Sequence, residues 1–171
     1  MARRPKVLFT FLRSLFSNDL LVELSENKVS IKAFTSDMSF EEEPYIAIEN
    51  TKKGEVIKAI GKNAKSLSAP NIRVLNPFKH NRSFVGDFMC AEKILQHGIY
   101  TMHNNPIIRP SPRVIIHQLE KTDGGLTDIE ERVLRELAIG AGAREVVIYL
   151  GCKINTNVEN FDTVKVRVSA T

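Results

Sequence analysis

Apolar and polar residues alternate in short runs through the first third of the chain. Asp19 to Leu24 (DLLVEL), Lys28 to Phe34 (KVSIKAF), Tyr45 to Glu49 (YIAIE) and Glu55 to Ile60 (EVIKAI) have the near-period-two spacing of half-buried strands. Asn27-Lys28 and Lys53-Gly54 supply turns between them, so the pattern predicts an antiparallel meander. A proline-dotted region follows, with strand-like NIRVL and SFVGDF segments. Then comes a helical stretch from Cys90 to His103, where Ile94, Leu95, Ile99 and Met102 share a face.

The second half changes character. Arg113 to Leu119 (RVIIHQL) is a nearly continuous apolar run, as expected of a strand covered on both faces. Thr127 then opens a helix through the capping-box sequence T-D-I-E, with Ile129, Val133, Leu134 and Leu137 as its buried stripe and Gly140 or Gly142 at its end. Glu145 to Leu150 (EVVIYL) completes a βαβ unit, and the alternation in Thr163 to Ser169 (TVKVRVS) predicts a final edge strand. The expected architecture is α/β, an antiparallel meander joined to βαβ in one mixed sheet. No internal repeat interrupts it.

Ahead of the first strand, Val7, Leu8, Phe11, Leu12 and Leu15 fall on one helical face, preceded by Arg3, Arg4 and Lys6. Residues 1–17 therefore read as a basic amphipathic arm, separate from a domain over 18–171. The apolar run falls short of the roughly 20 residues of a membrane span. Arg13 interrupts it, and no small-residue cleavage site follows, which argues against a signal peptide. A helix lying on an anionic membrane surface is favoured over one packed on the protein's own core, because each Lys or Arg near such a surface contributes about 1 kcal/mol.

Charge supports that division. Arg3, Arg4, Lys6 and Arg13 account for the whole net charge of +4, so the body is neutral and shows no nucleic-acid-binding face. Cys90 and Cys152 lack metal or disulfide spacing and read as reduced, partly buried thiols of a cytoplasmic protein. His80, His97, His103 and His117 are scattered, so no metal site is expected. The run Glu41, Glu42 and Glu43 before Pro44 reads as a solvated loop. Gly124-Gly125 reads as a flexible turn, since the rest of a phosphate-loop motif is missing.

LFSNDL, IGKNAK, NIRVLNPFK, VGDF, EKILQHGI, RPSPRVII and above all GAGAREV resemble, in the same order, segments of the MreB family of rod-shape-determining, actin-like proteins. The likeness runs from Leu15 to about Leu150. It implies an actin-like, ribonuclease-H-like fold reduced to a single subdomain of the family's first domain, with a short inserted subdomain around 66–88. In that family two domains close over ATP and magnesium, and a basic amphipathic helix commonly precedes SND. The resemblance thus strengthens the membrane reading of the arm.

It also locates departures. The family's D-x-G-T phosphate turn aligns with Glu23, Leu24, Ser25 and Glu26. Glu23 keeps a carboxylate, Ser25 adds a side chain where glycine permits close approach, and Glu26 places negative charge near a phosphate. Lys28 partly offsets that charge. The family's E-E-P, which orients the attacking water, aligns with Leu150, Gly151 and Cys152, so the general-base position lacks its carboxylate. On this reading the chain is not an enzyme and has no cofactor, ATP and magnesium entering only if it is half of a split ATPase completed by a partner chain. The expected function is a non-catalytic protein, peripheral at the inner face of the cell membrane. Its expected partners are a full-length actin-like filament protein or the cell-shape machinery, with self-association open and pilus or division machinery as another setting. Ile129 and Val133 are the candidate lateral contact, against a plain core role for both.

Overall fold

The computed structural model describes residues 19–34, 36–103 and 109–170. The basic arm, with Arg3, Arg4, Lys6, Val7, Leu8, Phe11, Leu12 and Leu15, lies outside the described residues. The expected meander divides between two sheets. Strands β1 (Asp19–Leu24), β2 (Val29–Ala33) and β3 (Ser39–Glu42) join β7 (Arg113–Gln118) and β8 (Glu145–Tyr149) in a five-stranded sheet ordered β3-β2-β1-β7-β8. Strands β4 (Ile46–Thr51), β5 (Gly54–Ile60) and β6 (Ile72–Leu75) form a smaller sheet ordered β5-β4-β6, so the inserted unit starts well before residue 66.

β1 pairs antiparallel with β2 and parallel with β7, and β8 continues the parallel side. Every residue of β1 is buried. Leu20, Val22 and Leu24 point to one face, against α2 (Phe88–Thr101) and α3 (Asp128–Gly140), which supply Ile94, Leu95, Ile99, Leu134 and Leu137. The short helix α1 (Lys62–Lys65) packs at the small sheet instead.

The opposite face holds the main departure from the sequence reading. Phe161–Ser169 is not an edge strand but a helix, α4. Its Val-Lys-Val-Arg-Val alternation suits a strand locally, yet Asn160 caps it through a reciprocal box with Thr163, and Phe161, Val164 and Val168 recur at helical spacing. They cover Leu21, Ile115 and Tyr149, and that burial outweighs the local preference. Arg113 fixes the helix start, lying between Asp19 (2.6 Å) and Asp162 (2.7 Å) and over the Phe161 ring (4.2 Å).

Smaller corrections follow the same logic. SFVGDF forms no strand: Phe84 stacks on Phe78, and Asp87 caps α2 by accepting from the Cys90 backbone N–H. Glu41 and Glu42 are not loop residues but belong to β3, and each acid of the run has a partner: Ser30 and Lys28 for Glu41, the Lys62 backbone N–H for Glu42 and the Lys65 ammonium for Glu43. Cys152 is exposed, whereas burial, helped by Asp87, pushes the Cys90 thiol up to about 11.

Two of the sequence segments explain each other. α3 ends in Gly140-Ala141-Gly142-Ala143, where Gly142 has φ +102°. The Gly142 N–H donates to Ile139 O and the Ala143 N–H to Ala138 O, the bond pattern of a Schellman motif. Arg144 then donates from its backbone N–H to Pro112 O and from its side chain to Ser111 O, so GAGAREV and RPSPRVII lock together at the amino ends of β7 and β8. Replacing Phe161 by Ala is expected to destabilise the fold by about 3–5 kcal/mol, while Val166→Ala stays within about 0.5 kcal/mol. Urea unfolding of both variants checks this, and equal midpoints would contradict the helix assignment. Gly142→Ala should cost about 1–2 kcal/mol in the same assay, because the open space around it leaves only its backbone conformation to resist a side chain.

Candidate functional site

Parallel strands leave their carboxyl ends open, and here β1, β7 and the turn after β8 end around one cleft of about 290 Å³. Glu23, Lys28, Lys32, Glu41, His117, Gly151 and Lys153 line it, with Leu119 as its apolar lip. The register brings the first of these together: Glu23 is paired with Ser30 on β2 and with His117 on β7. Lys32 lies two residues beyond Ser30 on β2, and its ammonium donates to Glu23 at 2.8 Å, with the carboxylate side chain 7% exposed and the lysine 27%.

On the outer strand, burial opposes ionisation of Glu41, yet the Ser30 hydrogen bond and the charges of Lys28 and Lys32 hold its carboxyl below the usual range. The His117 ring is buried edge-on against Tyr149, with Nε2 3.1 Å from Gly151 O. Because a carbonyl only accepts, Nε2 carries the proton and Nδ1 is a bare acceptor. That atom is buried without a hydrogen-bond partner among the described residues. Burial lowers the imidazole's proton affinity more than the Gly151 bond and the Glu23 charge raise it, so the ring is neutral near pH 7.

The sequence-derived site residues divide. Glu23 and Gly151 meet in the cleft; Ser25 and Glu26 turn elsewhere. Ser25 uses its hydroxyl inside the β1–β2 turn, donating to Lys28 O (3.1 Å) and accepting from the Lys28 N–H (3.0 Å), with no positive φ that would call for glycine. Glu26 directs its carboxylate to Lys121 (2.7 Å), donates its N–H to Glu120 (2.6 Å) and accepts from Asn76 at its carbonyl. Its negative charge is thus neutralised by the Leu119–Leu126 loop. At Gly151, an added Cβ would come within 2.5 Å of the Tyr149 hydroxyl, which itself donates to Cys152 O. A side chain at position 151 would therefore have to displace the Tyr149 hydroxyl.

Magnesium, which the resemblance implies, does not fit these residues. Glu23 is the one carboxylate at the β1 end of the cleft, and Lys32 already holds it. Among the described residues no three His, Cys, Asp or Glu side chains converge as a metal set. An anion does fit, because three lysines outnumber two carboxylates along the walls.

On α3, Leu134 and Leu137 are buried as expected. Val133 is only half-buried, and Ile129, placed in the buried stripe by its spacing, is 76% exposed. With Phe88, Asp128, Arg132 and Glu136 they line a surface groove of about 480 Å³. No helix among the described residues is long and apolar enough to cross a membrane.

The family described as MreB/Mbl protein matches residues 17–154. The cell shape-determining protein MreB of Pasteurella multocida is 35% identical over 147 residues, and its counterpart in Escherichia coli K12 is 36% identical over 141. These matches take in 83% and 80% of this chain but only 40% and 39% of those proteins, so the chain spans well under half their length. Among solved structures, MreB 5 of Spiroplasma citri bound to AMPPNP is similar with a TM-score of 0.59 at 21% identity, over 77% of this chain and 38% of that one. The MamK double helical filament gives 0.52 at 12%, over 78% and 41%. These likenesses bear out the actin-like α/β fold.

They also correct one expectation. The altered Glu23–Glu26 turn and the missing carboxylate at Gly151 had suggested a chain that is not an enzyme. The family matched is an ATPase family, with solved members holding AMPPNP and ADP, and these changed positions do not set the chain outside it. The chain belongs to the MreB/Mbl family of actin-like, cell shape-determining proteins.

Proposed function

We propose that this chain works at the cytoplasmic face of the cell membrane as an MreB-like module that joins actin-like filaments of the cell-shape machinery. Its cleft holds the phosphate end of ATP, and a partner chain supplies the other half of the site. The observation that carries the filament part is the exposed Ile129 beside half-buried Val133 on α3. An aliphatic side chain left 76% in water next to an apolar groove gains by being covered. The nucleotide part rests on the lysine-lined cleft at the strand ends and on the AMPPNP-bound structural neighbour, of which this chain covers 38%. The membrane part rests on the clustered charge of Arg3, Arg4 and Lys6 ahead of the apolar face Val7, Leu8, Phe11, Leu12 and Leu15.

The filament and membrane parts have direct tests. The purified chain should pellet with filaments of the host's full-length homologue, and Ile129→Asp should weaken that co-sedimentation by about tenfold or more, as loss of a buried anchor does. Unchanged pelleting would remove α3 as the contact. On vesicles containing anionic lipid, Phe11→Glu with Leu12→Glu should abolish flotation, and Arg3, Arg4 and Lys6 to Ala should weaken it about a hundredfold at low salt. Flotation that survives the glutamates would show that the arm is no anchor.

A further inference from the structure

We propose that the cleft binds a nucleoside triphosphate as the metal-free anion, with the Lys32 ammonium occupying the place at Glu23 that a divalent cation would need. The proposal rests on the reading that this cleft holds the phosphate end of ATP, and it names the form of ATP that is held.

The geometry at Glu23 makes the choice. Its side chain is 7% exposed and Lys32 sits 2.8 Å from it, reaching from the next strand while keeping 27% of its own side chain open to the cleft. Magnesium binds through carboxylate oxygens and phosphates in a demanding octahedral shell. Lys32 holds Oε2, so magnesium would either displace that ammonium or sit beside it at the other oxygen, two cations repelling in a poorly solvated corner. The remaining wall offers no replacement: Glu41 is engaged by Ser30 and Lys28, His117 spends Nε2 on Gly151 O, and its bare Nδ1 is buried and is an imidazole nitrogen, a poor ligand for magnesium. An ammonium already fixed by a buried carboxylate is instead an oriented donor for phosphate oxygen. Lys28, 54% exposed, and exposed Lys153 stand on the same walls to take further oxygens. Magnesium neutralises part of the triphosphate's charge, so a wall with more lysines than carboxylates attracts the free anion more strongly than the complex.

Isothermal titration of the full chain with ATP, once in excess EDTA and once in excess magnesium chloride, tests this. The expected result is binding in EDTA about tenfold or more tighter than in magnesium. Binding that requires magnesium, or is equal in the two media, overturns the proposal and leaves the ATP reading standing. Absence of binding in both media overturns the proposal, and with it the reading that this cleft by itself holds the phosphate end of ATP. Glu23→Gln combined with Lys32→Gln removes the pair without leaving a lone buried charge. It should weaken binding in EDTA by about tenfold or more with the thermal transition retained. Full affinity in that folded variant would take the role away from Lys32.

Discussion

A strand covered on both faces must bury every side chain it carries, polar ones included, and β1 is such a strand. Its apolar residues settle the two cores: Leu20, Val22 and Leu24 on the side of α2 and α3, Leu21 on the side of α4. Its acids cannot be left alone there, because an unpaired carboxylate in that setting carries a large desolvation penalty. Asp19 is therefore held by Arg113, which also reaches Asp162 and fixes α4, and Glu23 is held by Lys32, which shapes the cleft. The two ion pairs at the ends of one strand thus divide the labour. One closes the fold and the other defines the site.

The cleft lies at the strand ends, and its lining departs from the family's loop pattern. The strand ends still converge, since convergence follows from the parallel order β1-β7-β8 rather than from any single residue. What differs is the furniture. Glu26 has turned to Lys121, Ser25 closes its own turn, and Tyr149 fills the space under Gly151. Each change is satisfied locally, so the altered turn is a well-bonded structure in its own right. Belonging to an ATPase family and departing from its loop pattern are therefore compatible.

Much of this was legible in the chain. β1, β7 and β8 were readable as short apolar runs rich in branched residues, α2 and α3 through their helical periodicity, and the Thr127 box fixes the start of α3 to the residue. β3 was not readable, since Ser39–Glu42 holds one apolar residue, Phe40, and becomes a strand only by pairing with β2. α4 was misread because its branched residues alternate locally, while the decision lay with Leu21 and Ile115, distant in sequence. In the site, Glu23 and Gly151 were found through the family pattern, but Lys32 and His117 were not. His117 looked like one of four scattered histidines. The available signal was that it follows Ile115 by two in a strand, and so shares the face that Leu21 and Glu23 present on β1.

On the proposed function, an MreB-family domain spanning well under half of its relatives' length engages an actin-like filament through α3. Amide hydrogen exchange of this chain, free and mixed with the host's full-length homologue, tests it most directly. Slowed exchange is expected only in the first turns of α3 around Ile129 and Val133 and at the adjoining start of α2 at Phe88. Slowing centred instead on the β4-β5-β6 sheet, or no slowing anywhere, would contradict it.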